Sequence, residues 1–275
     1  MKKQKRTSKI ICTFIVGLFA LLFALPLVWM ILTSFKSNNE VFSYNWFPTK
    51  WHPENFVTVW NDATIPLWRV FLNSLTIVVF GTGGQLIVSS LAAYAFAKVN
   101  FKGRNFIFTL FLGSMMIPVQ ATIIPRFILF YEINLYNNLW SIILPSWFGI
   151  TSIFLLRQFY IGLPNDLMEA AKIDGAGHFR IFAQILMPLT KPAMISTMIL
   201  SFISLWNDYL SPLIFLVNKK LYTVPQAVKY WLFDDAKPYH LTMATSTIFI
   251  VPVIVLFIFC QKYFVEGIAT SGVKG

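Results

Sequence analysis

Residues 169–188 read EAAKIDGAGHFRIFAQILMP, a charged, small-residue-rich and glycine-punctuated stretch with long apolar runs on both sides. Working outward from it, six runs approach the roughly 20 helical residues that cross a hydrocarbon core. They cover residues 10–32, 71–96, 106–130, 139–159, 193–215 and 242–263. Backbone groups in lipid must be hydrogen-bonded within their own segment, so these runs are expected as helices. Pro118, Pro125, Pro145, Pro212 and Pro252 mark expected kinks or unwound turns. The expected fold is all-α: one polytopic membrane domain over residues 1–275, with six transmembrane helices and a polar loop at 164–190.

Composition points the same way. The 275 residues are 57% hydrophobic, 17% aromatic and 12% charged, more apolar than a soluble core hides. The net charge of +11 is spread between the apolar runs and forms no folded basic domain, which argues against nucleic acid as a partner. Lys2, Lys3, Lys5, Arg6 and Lys9 precede the first run without an acid, and that run continues to Leu32 with no small-x-small cleavage site. It reads as an uncleaved first span. Placing this cluster in the cytoplasm puts 14 of the 22 basic residues inside and eight outside, the latter including Arg126, Lys219 and Lys220. Both termini and the 164–190 loop are then cytoplasmic.

Residues for catalysis are missing from the pattern. Cys12 and Cys260 lie inside apolar runs as small core residues, and His52, His178 and His240 sit in separate loops, so no metal site is expected. Gly81, Gly83 and Gly84 are followed by Gln85 and not by the Lys-Ser/Thr of a phosphate loop; close helix packing accounts for them better. No Gly-x-Ser-x-Gly elbow occurs. The expectation is a chain with no catalytic residue and no cofactor of its own.

Within the polar loop, Asp166 and Glu169 have the spacing of a capping box. A short helix is expected over 167–174, ended by Gly175 in a positive-φ position. Glu169 offers a carboxylate, Ala170 and Ala171 allow close approach, and Leu167, Met168 and Ile173 supply apolar contact. A second amphipathic segment runs from Phe179 to Met187 and stops at Pro188. Composition fits two readings of this loop, a docking element for a soluble partner or an amphipathic segment resting on the membrane surface.

Polar groups inside spans are functional candidates by default. Trp206, Asn207, Asp208 and Tyr209 precede Pro212, and Gln120 and Thr122 lie between Pro118 and Pro125. They suit either contact with a polar solute or links between helices. Trp46, Trp51, Trp60, Trp68 and Trp231 read as an interfacial aromatic belt.

The spacing of Glu169, Ala170 and Ala171, then Gly175, Ile185 and Pro188, resembles the EAA loop of permease subunits in bacterial ATP-binding-cassette importers. Met187 stands where leucine is usual, a swap that keeps volume and apolarity. Asn73 and Ser74, residues 92–98 with Gly103 and Arg104, 117–125 (IPVQATIIP), 156–159 (LRQF), 173–176 (IDGA), 206–208 (WND) and 271–275 (SGVKG) resemble carbohydrate-importer permeases of the six-span, maltose type. The resemblance implies a multi-pass subunit of the bacterial inner membrane, paired with a second related permease, two cytoplasmic ATPases that bind ATP and Mg, and an extracellular solute-binding protein. It implies a sugar or oligosaccharide as solute, with a polyol phosphate such as glycerol phosphate as the alternative, moved by alternating access. Glu169, Ala170, Ala171, Asp174, Gly175, Met168 and Ile173 would then form the coupling helix, the tail 266–275 would reach the ATPase, and the loop 33–67 would meet the binding protein. Two other classes also suit a six-span chain: a stand-alone secondary transporter or channel, and a membrane scaffold.

Overall fold

A computed structural model describes residues 2–233 and 238–272. Among the described residues every regular element is helical and no strand occurs. The chain separates into two compact units.

The first unit joins Met1–Trp68 to Ala227–Val251. Helix α1 (Lys2–Thr33) has a mean hydropathy of 2.7 over its most apolar window, and none of that window is buried within the chain. Such a surface is stable only in an apolar medium or against another apolar surface. After α1 the chain forms a built loop around a second helix, α2 (Glu54–Trp60). Asn55 is buried, and its amide donates to the carbonyls of Ser34 and Lys36, both at 2.9 Å. Lys36 is fully buried and its Nζ donates to the Asn45 carbonyl. The Thr49 N–H donates to Glu40 Oε1 at 2.7 Å and holds that carboxyl below its usual range. Trp46, Trp51 and Trp60 are exposed, whereas Trp231 is buried.

The second unit joins Arg69–Gln226 to Pro252–Gly275. Helix α3 (Leu67–Lys98) is continuous for 32 residues and extends beyond the 71–96 run at both ends. The 106–130 run is two helices, α4 (Arg104–Ser114) and α5 (Val119–Glu132), bent by 97°. Pro118 occupies the N-cap of α5 with an extended ψ of 136°; it brings no N–H to the ladder and biases Ile117 away from helix. The 139–159 run is α6 (Trp140–Ser146) and α7 (Ile150–Ile161), separated by residues 147–149 just after Pro145.

Beyond α8 (Asp166–Ile173), α9 (His178–Leu189) meets α10 (Lys191–Trp206) at 80°. Residues 207–209 interrupt the 193–215 run before α11 (Leu210–Phe215), whose first turn carries Pro212. Helix α12 (Val224–Leu232) follows, and the last helix, α13 (Tyr239–Gly272), passes Pro252 without a break. Among the described residues four helical segments are long and apolar enough to cross a membrane, or six if each bent pair is one span. Residues 273–275 of the tail reading lie outside the described residues.

Candidate functional site

The polar loop does become a short helix. α8 starts at Asp166, and the N-cap position is Asn165, which makes no side-chain capping bond. Asp166 therefore does not close the expected capping box; it and Glu169 lie in the first turn, where the helix dipole favours acids. The Asn165 side chain is engaged elsewhere. Its Oδ1 accepts from Lys98 Nζ at 2.7 Å, and the same ammonium donates to the Leu163 carbonyl at 2.7 Å. Gly175 has φ +75°. Its N–H bonds the Lys172 carbonyl at 3.0 Å and the Ala176 N–H bonds the Ala171 carbonyl at 2.9 Å, the pair of bonds that defines a Schellman cap.

The two faces of α8 separate the predicted residues. Met168 and Ala171 are buried in a cluster with Tyr94, Leu156, Tyr160, Ile181, Phe182 and Leu186. Tyr94 Oη and His178 Nδ1 are 3.0 Å apart, which adds a polar tie between α3 and α9. Glu169, Ala170, Asp174 and Gly175 are exposed, as is Ile173 at 87%. Phe179, on the next helix, is 73% exposed. The result is a helix clamped on one side, with the Glu169 carboxylate and the Ile173 side chain exposed on the other, and Phe179 exposed on the helix that follows.

A second candidate site lies among α3, α5, α6, α7, α10 and α11. Here a cavity of about 560 Å³ is lined by Gln85, Arg126, Ser152, Ser201, Ser204 and Asp208, together with apolar residues that include Val119, Ile142, Leu155 and Leu205. Gln85 holds its wall together: Nε2 donates to Ser152 Oγ at 2.8 Å, and Oε1 accepts from Ser201 Oγ at 2.7 Å. A side chain at position 149 would collide with this amide, so Gly149 leaves the space that Gln85 uses. Gly84 likewise leaves room for the Trp147 indole, whose Nε1 donates to the Phe80 carbonyl at 3.0 Å. Asp208 Oδ1 accepts from the Ser211 N–H at 3.1 Å. The Arg126 guanidinium lies 4.7 Å from the Phe215 ring centroid, and its Nε and Nη2 are buried with no hydrogen-bond partner among the described residues.

Of the solute-contact candidates, only Asp208 lines this cavity. Trp206 is buried, stacked on Phe202 at 5.7 Å and edge-on to Phe71 at 5.6 Å. Asn207 donates to the Ile203 carbonyl at 2.8 Å, and Tyr209 lies off the cavity wall. Gln120 and Thr122 are exposed away from the cavity, with Thr122 bonded to the Val119 carbonyl at 2.8 Å. Arg126 and Gln85, which line this cavity, are not among the solute-contact candidates read from the sequence. The charge count places Arg126 outside although it falls within the 106–130 run, and a charge inside an apolar run is itself a signal.

The fold and these features define a membrane-embedded transport subunit. Residues 85–270 match the family described as "Binding-protein-dependent transport system inner membrane component", and the chain belongs to that family of ABC transporter permeases, which are transport subunits and not enzymes. This membership sets aside the stand-alone transporter and scaffold readings. The chain is similar to the arabinooligosaccharides transport system permease protein AraQ of Halalkalibacterium halodurans, 34% identical over 279 residues covering 99% of this chain and 100% of the relative. It is also similar to the melibiose/raffinose/stachyose import permease protein MelC of Bacillus subtilis, 30% identical over 279 residues covering 100% of both. A solved bacterial ABC transporter involved in import of the acidic polysaccharide alginate has the same fold, with a TM-score of 0.83, 24% identity and coverage of 94% of this chain and 97% of that one.

Proposed function

We propose that this chain is one half of the translocation pathway of an ATP-driven importer for a sugar or oligosaccharide. The observation that carries the coupling role is the two-faced α8, with Met168 and Ala171 buried while Glu169 and Ile173 stand exposed beyond them. A helix fixed on one face transmits a push without bending away, and its outer face suits a groove on a soluble ATPase. The names of the relatives, an arabinooligosaccharides transport system permease protein and a melibiose/raffinose/stachyose import permease protein, support a carbohydrate as the solute.

In this reading the chain pairs with a second, related permease, and two ATPase subunits bind ATP and Mg on the cytoplasmic side. An external solute-binding protein delivers the sugar, with the loop around α2 as its docking surface. The N-terminal basic cluster keeps both termini in the cytoplasm, and the two bent helix pairs each count as one span, giving six. Closure of the ATPase dimer moves the two α8 helices together and switches the pathway between inward and outward access.

The test is Glu169→Lys in the full complex. The variant is expected to insert normally, lose most ATPase copurification and abolish uptake; normal uptake by that variant would sink the coupling role.

A further inference from the structure

A buried guanidinium N–H without an acceptor is costly, the more so in a segment that spans a membrane. Arg126 is half-buried, and its Nε and Nη2 are buried atoms with no partner among the described residues; the residue lines a cavity rather than a packed seam. The cation has a ring beneath it in Phe215, but a ring takes the face of a guanidinium and not its N–H donors. Asp208 lines the same cavity and attracts Arg126, yet no ion pair within 4.0 Å joins them. Asp208 Oδ1 holds the Ser211 N–H, which leaves further lone pairs on the carboxylate. The site thus offers donors and acceptors at separate points, with net charge near zero. Serine hydroxyls and aliphatic side chains complete the wall, and a cavity of about 560 Å³ falls in the size range of small-molecule sites.

We propose that Arg126 and Asp208 form a solute-contact site that takes a neutral, polyhydroxylated ligand. One ligand hydroxyl oxygen accepts from the Arg126 guanidinium, and another hydroxyl on the same ligand donates to the Asp208 carboxylate. An anionic sugar would satisfy Arg126 and then meet the Asp208 charge, whereas a neutral sugar uses both groups. The aliphatic wall formed by Val119, Ile142 and Leu155 suits the C–H faces of the ring. This chain would therefore read the solute itself and not only frame the path. The proposal rests on the importer reading above.

The experiment uses the complete reconstituted complex in proteoliposomes. Cys12 and Cys260 are replaced by serine and Ser204, on the cavity wall, by cysteine; its labelling by a small thiol reagent is measured with and without raffinose, arabinotriose or digalacturonate. A transported neutral sugar is expected to slow labelling at least five-fold, and digalacturonate is expected to have little effect. Arg126→Gln and Asp208→Asn, made separately in the natural chain, are each expected to raise the half-saturating sugar concentration for uptake about ten-fold or more. Asp208→Asn should also bring digalacturonate closer to the neutral sugars. Absence of protection by a sugar that is transported, or unchanged half-saturation in both variants, overturns the proposal. Stronger protection by digalacturonate than by neutral sugars overturns the ligand class. If either variant fails to assemble, the labelling result decides. Failure of the importer reading looks different: the unaltered complex then takes up no probe in an ATP-dependent way.

Discussion

Lys98 Nζ and Asn165 Oδ1 are 2.7 Å apart across 67 positions of sequence, so the last residue of α3 holds the residue that precedes α8. The same ammonium takes the Leu163 carbonyl, and both ends of the turn entering α8 are tied to one cation. A hydrogen bond to a charged group contributes about 1.5–3 kcal/mol. Lys98→Met is therefore expected to speed proteolysis within residues 163–169 and to slow uptake several-fold, with Lys98→Arg recovering part of both. Equal cleavage and uptake in Lys98→Met and the natural chain would show that the brace plays no part.

The Schellman cap at Gly175 requires a positive φ, which costs a side-chain-bearing residue about 1–2 kcal/mol. Gly175→Val should fray the end of α8 and weaken ATPase copurification, while Gly177→Ala, with φ −72° and open space around its Cα, should not. Quantitative pull-down of the ATPase by the two variants makes the comparison.

Met168 and Ile173 sit on opposite faces of one helix and should fail in different ways. Met168→Ala removes a side chain from the cluster that seats α8, at about 2–5 kcal/mol, and should lower the melting temperature of the purified chain. Ile173→Ser leaves that melting temperature nearly unchanged, because the side chain is 87% exposed, but should cut ATPase binding and uptake. Matching losses of stability in both variants would contradict the division of α8 into a seated face and a docking face.

Two neighbouring glycines of α3 supply a packing test. At Gly84 a methyl group would run into the Trp147 indole, whereas at Gly83 it would meet open space. Gly84→Ala is expected to destabilise by about 1–3 kcal/mol through overpacking. Gly83→Ala should be neutral or stabilise by up to about 1 kcal/mol through helix propensity. Thermal unfolding in detergent reads both.

Much of the architecture was legible because lipid imposes a one-dimensional rule: a long apolar run must be a helix. The runs at 10–32, 71–96 and 242–263 all lie within continuous helices. Proline was a weaker guide. Pro118 stands at a 97° bend and Pro252 passes unbroken, since the outcome depends on whether neighbouring groups satisfy the freed carbonyl. The end of α8 was readable because Gly175 acts locally. Its start lies within one residue of the expected position, but the capping box was not readable, because Asn165 takes the N-cap position and its side chain is recruited by Lys98 from another helix.

What the sequence by itself determined was the all-helical class and the short polar helix with its glycine stop, both consequences of neighbours along the chain. Only tertiary structure decided which residues have which surroundings. Trp206, polar enough to suggest solute contact, packs between rings, while Arg126 and Gln85 reach a cavity beside Asp208. The physical reason is that a run's hydropathy averages over all sides of a helix. Whether a given side chain meets lipid, a neighbour or a cavity depends on helices distant in sequence.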